Sequence, residues 1–476
     1  MGAARRAYHE ALEFIHGLMR FGSQPGLARI EGLLARLGQP HLGLRSVHVG
    51  GTNGKGSVVA VLDSVLREQG YSVGRYISPY LEAFPERMCV NGRPITGAEV
   101  VELLGRVRPA IEAMVAEGSE HPTEFEVVTA LGFLFFRRRC VDLAVVEVGL
   151  GGRLDATNVL RPGDVLCSVV TNVGLDHVDR LGHSVEEVAR EKAGIIKDGG
   201  WVVTAASHPS ALGVLEEAAR QKGARLVRVG RDVTFRPCGA GGFGARGGAG
   251  AGDRCGAAGV ICRPRGSRVA PGPVLQRFDY RGLDWRLGGL SLPLLGPHQL
   301  FNAATALAAL EVLNRQGVPV SEAAVRRGLR RVRWPGRLEV FWGAPLVVLD
   351  GAHNAEGARA LAAALPGVVG RRPVVLLMGV LADKPYAAMA GALGPLARAA
   401  VVARTPTPRA LEPEVLGREL RRWVSRVEVE PEPGEALQRA LALAGREGAV
   451  VATGSLYLVG PVRSLLRRWR SPGGAF

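Results

Sequence analysis

Lysine is scarce in this chain of 476 residues, in which 60 residues are lysine or arginine. It occurs only at Lys55, Lys192, Lys197, Lys222 and Lys384, so the other 55 basic residues are arginine. The scarcity indicates a general compositional preference for arginine. It also makes each remaining lysine a candidate for chemistry that arginine cannot perform, because an amine can lose its proton whereas a guanidinium stays charged.

The net charge of +16 raises the question of a nucleic-acid surface. Aromatic residues make up only 5% of the chain. They are not interleaved with the scattered arginines, so the pattern offers no platform on which bases could stack. We therefore expect the positive charge to attract small anionic molecules and not nucleic acid.

Long apolar runs are also absent. None reaches the roughly 18 residues that a membrane span requires, and the N-terminal region lacks the pattern of a secretion signal. The six cysteines contain no closely spaced pair of the kind that binds zinc. Cys140 and Cys167 lie in apolar runs, which predicts buried thiols. Together these absences predict a cytoplasmic protein without a membrane partner.

The length predicts about two to three domains. Strand-like apolar runs alternate with helix-sized segments in both halves of the chain, which predicts an α/β fold. We expect residues 1–293 to form an N-terminal domain with a P-loop-type, mostly parallel sheet. Residues 294–476 are expected to form a doubly wound, Rossmann-like domain after a linker at residues 290–297. The Gly/Ala-rich residues 238–259 predict a flexible insertion, since they carry too few large apolar side chains to fold alone.

Residues 47–57 predict a phosphate-binding loop. An apolar β-branched run leads into Gly50-Gly51-Thr52-Asn53-Gly54-Lys55-Gly56-Ser57, and apolar residues at helical spacing follow. The backbone N–H groups of such a loop face an anion at the N-terminus of the helix. Lys55 would add positive charge, and the Ser57 hydroxyl could reach Mg²⁺. The spacing departs from the standard P-loop, so an ordinary glycine-rich turn is the alternative.

Three polar residues lie at or just after the ends of predicted strands, where α/β proteins bind ligands. Glu147 lies near the end of the apolar run 142–149, and a buried carboxylate there suits a Mg²⁺ ligand. Its alternative is a solvated strand end. His177 follows the strand predicted at 165–170, where an ordinary surface histidine is the alternative. Ser78 precedes a proline at another strand end, a position that by itself more often indicates a turn.

Lys192 is followed by an apolar, small-residue stretch, which predicts that its side chain packs in a dry environment. A desolvated lysine has a lowered pKa and hence a neutral, nucleophilic amine. Such an amine can capture CO₂ as a carbamate and become a metal-binding carboxylate. The alternative is a solvated lysine on a helix, which is the commoner situation.

Seven motifs, in the same order along the chain, resemble those of folylpolyglutamate synthases. Many members of that family are also dihydrofolate synthases, and the family is a branch of the Mur ligase superfamily. The motifs are residues 51–57, 147–158, 171–179, 190–197, 298–302, 334–337 and 350–354. The resemblance implies an ATP-dependent ligase that adds L-glutamate to folates, and to dihydropteroate, through an acyl phosphate. It covers nearly the whole chain except the insertion at 238–259.

The resemblance also implies a role for each matching residue. The ATP site would comprise Asn53, Gly54, Lys55, Gly56, Ser57, Asn302, Arg337 and Asp350. Two Mg²⁺ ions would be bound by Ser78, Glu147 and His177. Lys192, carrying the CO₂-derived carbamate, and His353 would be the catalytic residues. The folate or pterin pocket would be lined by Thr123, Glu124, Phe125, Glu126, Leu154, Asp155 and Ala156.

Two details of that pocket have other readings or depart from the family. The spacing of Thr123 and Glu126 equally indicates a helix capping box. Tyr80 stands where the family often has histidine, two residues after the serine of the Ser-Pro dipeptide. We expect the substrates to be a folate or dihydropteroate, L-glutamate and ATP, and the protein to be a monomer.

Two alternative functions remain open. A peptidoglycan Mur ligase performs the same chemistry, but it carries a domain of roughly a hundred residues before its phosphate loop, and only 46 residues precede Val47 here. A nucleic-acid-binding ATPase is the alternative from another class. ATP turnover that requires glutamate and folate would favour the ligase, whereas stimulation by DNA or RNA would favour the ATPase.

Overall fold

The structure, a computed structural model, describes residues 2–22, 25–238 and 275–469. The chain forms two compact units whose segments alternate along the sequence. The first unit comprises Met1–Thr234, Arg281–Arg286 and Phe301–Leu329, and the second comprises Phe235–Tyr280, Leu287–Leu300 and Arg330–Phe476. The predicted single division between residues 293 and 294 stays a prediction. Apart from Cys238, the predicted insertion at 238–259 lies outside the described residues.

The helices and strands follow one another in the alternating order that the sequence predicts. The helices are α1 Ala3–Gly17, α2 Ala28–Arg36, α3 Lys55–Gln69, α4 Gly97–Ala116, α5 Glu124–Arg138, α6 Val178–Leu181, α7 Val185–Ala193, α8 Pro209–Gln221, α9 Pro297–Arg315, α10 Glu322–Arg331, α11 Ala355–Val369, α12 Tyr386–Leu393, α13 Pro413–Leu420, α14 Pro433–Ala444 and α15 Leu456–Trp469. The strands are β1 Ser46–Gly50, β2 Val73–Tyr76, β3 Met88–Val90, β4 Arg93–Pro94, β5 Leu143–Glu147, β6 Val165–Val170, β7 Trp201–Thr204, β8 Arg225–Arg228, β9 Thr234–Pro237, β10 Gln276–Arg281, β11 Arg286–Leu292, β12 Glu339–Phe341, β13 Leu346–Leu349, β14 Val374–Met378, β15 Ala397–Val402, β16 Val427–Val429 and β17 Ala449–Thr453.

An eight-stranded sheet organises the first unit, in the order β4-β3-β2-β5-β1-β6-β7-β8. Strands β2, β5, β1, β6, β7 and β8 are parallel, and β3 and β4 pair antiparallel at one edge. The register pairs Val49 with Glu147 on β5 and with Val169 on β6. The carboxyl ends of these three neighbouring strands therefore lie side by side. This confirms the mostly parallel sheet and brings their loops to one edge.

A six-stranded sheet organises the second unit, in the order β12-β13-β17-β14-β15-β16. All its neighbouring strands pair in parallel except β12 with β13, which confirms the doubly wound sheet. Strands β11, β10 and β9 form a separate three-stranded sheet. The predicted linker was wrong for residues 290–292, because Leu290 and Leu292 are buried in β11.

Local sequence signals identified the starts of three helices correctly. Capping boxes pair Thr96 with Glu99, Thr123 with Glu126 and Ser184 with Glu187. Cys167 is buried, as predicted, but Cys140 is exposed. Cys140 follows the end of α5 with a φ of +47°, and this left-handed turn places its thiol at the surface. Within the described residues, no helix is both long and apolar enough to cross a bilayer.

Candidate active site

The glycine-rich loop after β1 leads directly into α3, as predicted. Gly54 caps the helix with a φ of +88°. A Cβ atom on Gly54 would lie 2.3 Å from Oδ1 of Asn302, and one on Gly51 would lie 1.9 Å from Oγ1 of Thr171. Side chains at these positions would therefore collide with their neighbours. The close approach places Asn302, from α9, directly against the loop within the first unit.

Residues after β6 hold this loop from the side. Asn172 Oδ1 accepts a hydrogen bond from the Asn53 N–H at 2.6 Å, and the Thr171 hydroxyl donates to the Asn53 carbonyl at 2.6 Å. Lys55 Nζ donates to the carbonyls of Gly51 at 3.1 Å and Thr52 at 3.2 Å. Sequence reasoning did not assign Thr171 or Asn172 to the site. Their position at a strand tip beside β1 was the available signal.

Lys192 is buried near the end of α7, with only 4% of its surface exposed. Burial and, to a smaller extent, the positive charge of Lys55 lower the pKa of its amine to about 7, against the opposing negative charges of Asp176 and Asp155. The alternative of a solvated helix lysine was therefore wrong. A lysine in this state is partly neutral near pH 7, which makes its nitrogen available as a nucleophile.

The three predicted metal ligands lie after β2, at the end of β5 and after β6. Glu147 is buried and is the last residue of β5, where it pairs with Val49 of β1. Ser78 and His177 are half-buried, and His177 precedes α6 as its N-cap in a left-handed conformation with a φ of +51°. The part of the chain that the structure describes holds no group of three His, Cys, Asp or Glu side chains arranged for a metal ion. The hydroxyl and carboxylate oxygens are nevertheless the ligand type that Mg²⁺ prefers.

Asp155 is buried at the centre of a hydrogen-bonded network. Its Oδ2 accepts from the Leu150 N–H at 2.8 Å, and its Oδ1 accepts from the Thr157 N–H at 3.0 Å and the Thr157 hydroxyl at 2.5 Å. His48 Nε2 lies 2.8 Å from the same Thr157 oxygen. Because that hydroxyl donates to Asp155, its oxygen accepts the proton of His48 Nε2. The network fixes the loop that contains Leu154 and Asp155, and sequence reasoning missed His48 and Thr157.

Burial sets the charges in this network. It lowers the pKa of His48 well below its usual value, so the imidazole is neutral. Burial also raises the pKa of Asp155, although the hydrogen bonds from Thr157 and Leu150 oppose that rise. The neutral imidazole can donate from Nε2 to the Thr157 oxygen, and the Thr157 hydroxyl donates to Asp155.

The residues predicted to line a folate pocket lie at the start of α5 and in the loop after β5. Thr123 and Glu126 form a capping box, and the buried Glu126 also accepts from Arg29 Nε at 3.2 Å. Their alternative reading as a cap is therefore confirmed. Phe125 packs against the loop after β5, since a Cβ on Gly149 would lie 2.3 Å from the phenyl ring. Ala156 is buried and Leu154 is half-buried in the adjoining loop.

Glu124 lies beside an arginine that sequence reasoning missed. Arg87 Nη2 is 3.8 Å from Glu124 Oε1, as is His16 Nδ1. The Arg87 side chain is only 11% exposed, and its Nε and Nη1 atoms are buried without a hydrogen-bond partner among the described residues. Its guanidinium carbon lies 5.7 Å from the ring centre of Tyr80. Buried unpaired donors are costly, so they mark a place where a ligand acceptor would bind favourably.

Four side chains gather at the tip of β13 in the second unit. Asp350 Oδ2 accepts from the Leu338 N–H at 2.8 Å, and its Oδ1 accepts from the Ala352 N–H at 2.9 Å. His353 Nδ1 donates to the Gly351 carbonyl at 2.9 Å. A Cβ on Gly351 would lie 2.1 Å from Nη1 of Arg337, so the guanidinium packs on this glycine.

His298 is a fourth member of this group that sequence reasoning did not assign to the site. Burial lowers its pKa, the negative charge of Asp350 raises it, and the positive charge of Arg337 lowers it. Its Nδ1 is buried and has no hydrogen-bond partner among the described residues. His298 begins the motif at residues 298–302, but the sequence gave no role for it within that motif.

Two families match the chain. The Mur ligase middle domain matches residues 49–236, and the family described as Mur ligase, glutamate ligase domain matches residues 336–456. A dihydrofolate synthase/folylpolyglutamate synthase from Bacillus subtilis is 37% identical over 465 residues, which cover 97% of this chain and 99% of that protein. The Escherichia coli dihydrofolate synthase/folylpolyglutamate synthase is 31% identical over 455 residues, 94% of this chain and 93% of its own.

Solved structures agree with these relatives. The Mycobacterium tuberculosis folylpolyglutamate synthase complexed with ADP superimposes with a TM-score of 0.84 at 31% identity, covering 98% of this chain and 100% of that one. The Escherichia coli protein FolC in complex with DHPP and ADP gives a TM-score of 0.80 at 29% identity, covering 97% and 98%. Both similarities extend over the two units of the chain.

Proposed function

The chain belongs to the folylpolyglutamate and dihydrofolate synthase branch of the Mur ligases, and from that premise we propose that it uses ATP to join L-glutamate to a folate or to dihydropteroate. The single observation that carries the proposal to the residue level is Lys192. It is buried, its amine has a pKa of about 7, and the charges of Lys55 and Asp155 act on it. A desolvated amine near a phosphate-binding loop can form a metal-binding carbamate, which suits a ligase that activates a carboxylate with ATP.

The reaction must overcome the low reactivity of a carboxylate. The substrate carboxylate attacks the γ-phosphorus of ATP, which gives an acyl phosphate and ADP. The neutral amine of glutamate then attacks the acyl carbon, and phosphate leaves. Both partners of the first step are anions, so the residues around them must neutralise charge. We assign that task to Lys55 and to Arg337, and the binding of phosphate oxygens to the backbone of residues 53–57.

Mg²⁺ and a carbamate on Lys192 belong to the proposal. Ser78, Glu147 and His177 would hold Mg²⁺, which when bound supplies positive charge near the phosphates. The buried carboxylate of Glu147 supports this assignment, because it lies one strand from the phosphate loop. The lowered pKa of Lys192 supports carbamylation, since the neutral amine is the form that captures CO₂. In the second unit we propose that Asp350 and Arg337 bind ATP and that His353 is a catalytic residue.

We place the heterocycle of the substrate against Phe125, Glu124 and Arg87. A pterin presents N–H donors and a carbonyl acceptor along one edge. The Glu124 carboxylate can accept from the donors, and the unpaired Arg87 N–H groups can donate to the acceptor. Leu154 and Ala156 would supply neighbouring surface. Thr123, Asp155 and Glu126 shape the pocket through the hydrogen bonds described above.

A product assay tests the function. The protein is incubated with ATP, L-glutamate and either dihydropteroate or tetrahydrofolate, and the products are separated by mass. We expect glutamylated product and ADP with at least one acceptor. ATP turnover that needs DNA or RNA and no folate would contradict the ligase. Light scattering in the same buffer tests the predicted monomer, which stays a prediction, as does the cytoplasmic location.

A further inference from the structure

The turn that carries Arg337 has a backbone that needs support. Leu338 has a φ of +46°, in the left-handed region that leucine rarely adopts, and its side chain is buried. Such a conformation is unfavourable and persists only where surrounding contacts hold it. The direction of the Arg337 side chain therefore depends on whatever fixes this turn.

Three hydrogen bonds fix the turn within the second unit. Asp350 accepts from the Leu338 N–H at 2.8 Å. The Gly351 N–H donates to the Gly336 carbonyl at 2.8 Å. Oε2 of Glu339, the first residue of β12, accepts from the Gly336 N–H at 2.9 Å. The first two bonds come from the tip of β13, and the third comes from a side chain that must itself be held in place.

Arg463 holds that side chain. It lies on α15, 124 residues along the chain from Glu339. Its Nε donates to Glu339 Oε2 at 2.8 Å and its Nη2 donates to Glu339 Oε1 at 2.9 Å. The two side chains are 13% and 22% exposed. This two-pronged contact fixes the plane of the carboxylate, because a guanidinium and a carboxylate match along a whole edge.

We propose that Arg463 is a positioning residue for Arg337, acting through Glu339 and the Gly336 N–H. The proposal rests on the proposed function only in that Arg337 is assigned there to the phosphates of ATP. Arg463 aligns Glu339, Glu339 holds the turn at Gly336, and the turn directs the Arg337 guanidinium across Gly351. A lysine at position 463 would keep the charge but could not make both bonds in one plane.

The first experiment compares two Arg→Lys variants at opposite edges of the same sheet. Arg463→Lys breaks the fork to Glu339 on β12. Its matched control, Arg439→Lys, breaks a similar fork to Glu428 on β16. We expect kcat/KM for ATP to fall about tenfold in Arg463→Lys, because small displacements of a positioned group cost rate steeply. KM for glutamate should not change, and Arg439→Lys should match the wild type.

A double variant separates positioning from a general loss of structure. If Arg463 acts through Arg337, then Arg337→Ala with Arg463→Lys should be no slower than Arg337→Ala alone. Losses that multiply would overturn the proposal, as would wild-type kinetics in Arg463→Lys when Arg337→Ala is impaired. Should Arg463→Lys fail to fold, Glu339→Gln tests the same link and should show the same selective loss with ATP.

The outcome also separates this proposal from the function on which it rests. Wild-type kinetics in Arg337→Ala would remove the phosphate assignment of Arg337 and the positioning role with it, while the glutamylated product would still identify the ligase. If kcat/KM for ATP falls in Arg337→Ala but is unchanged in Arg463→Lys and Glu339→Gln, the positioning role alone is removed.

Discussion

In the first unit Lys192 and Asp155 are buried ionisable groups whose pKa values shift because water is excluded. In the second unit Arg337 and Asp350 are held by backbone hydrogen bonds and by close packing on Gly351. Burial in the first unit affects which side chains are charged. The contacts in the second unit determine the direction in which charged side chains extend. Variants at these residues of the first unit should therefore change how activity and stability respond to pH, Mg²⁺ and CO₂. Variants at these residues of the second unit should change the placement of the side chains.

The largest effect is expected for Lys192→Ala. Loss of the amine should lower ligation by about 10³-fold or more, because without the carbamate Mg²⁺ would be held less well near the phosphates whose charge it neutralises. Short carboxylates such as formate should restore part of the activity, measured as ADP released with glutamate and folate.

Lys197→Met is the matched control for that experiment. Lys197 is also buried, but its amine donates to Asn158 Oδ1 at 2.8 Å and to the Asn158 carbonyl at 3.3 Å. Added formate should not change the activity of Lys197→Met. Full activity of Lys192→Ala without formate would end the carbamate proposal.

Glu147→Gln should have the next largest effect. It keeps the size of the side chain and removes its charge, so turnover at a fixed Mg²⁺ concentration should fall about 10²-fold, with a higher Mg²⁺ requirement. Thermal unfolding should show that the fold is retained. Glu216→Gln, at an exposed ion pair with Arg228, is the control. An unchanged Mg²⁺ titration curve in Glu147→Gln would contradict the ligand role.

The lowered pKa of Lys192 predicts a pH-dependent stability. Below pH 7 the amine is protonated in both states, and above pH 10.5 it is neutral in both. Between these values the unfolded chain binds a proton that the folded chain has released. The free energy of unfolding should therefore rise with pH relative to Lys192→Met, by up to about 1.4 kcal/mol per pH unit.

Urea unfolding in CO₂-free buffers at pH 7, 8 and 9 measures this slope. Lys197 provides an internal comparison, because burial lowers the pKa of its amine to about 8. The difference in the free energy of unfolding between the wild type and Lys197→Met should therefore begin to change only above pH 8. Parallel pH curves for the wild type and Lys192→Met would show that the Lys192 amine is not desolvated.

For Asp350→Asn we expect an effect on stability. The amide keeps one acceptor oxygen, so it leaves either the Leu338 or the Ala352 N–H unpaired in a buried turn. This should cost about 1–3 kcal/mol of stability, measured by urea unfolding. Asp383→Asn, in an exposed pair with Arg409, should change stability by less than about 1 kcal/mol.

Sequence reasoning succeeded where the signal was local. The glycines before α3, the strand ending at Glu147 and the three capping boxes each depend on residues a few positions apart. The buried character of Lys192 followed from its apolar neighbours. Cys140 was predicted wrongly because a single left-handed turn at a helix end reverses which side is exposed.

The missed residues depend on partners far away in the chain. His48 and Thr157 are 109 residues apart, and Glu339 and Arg463 are 124 apart. Arg87 was missed for another reason: what distinguishes it is buried N–H groups without an acceptor, and only packing in three dimensions reveals that. Pattern and spacing carry no information about such pairs.

The hydroxyl of Thr157 links a neutral imidazole to a carboxylate in one direction only. A side chain without a donor at position 48 would leave the Thr157 oxygen without the proton that His48 supplies. Loss of the Thr157 hydroxyl would in turn remove a donor from Asp155. A substitution at any one of the three positions would leave at least one of the others without its hydrogen-bond partner. Across related ligases these three positions should therefore be inherited as a set, changing together or not at all.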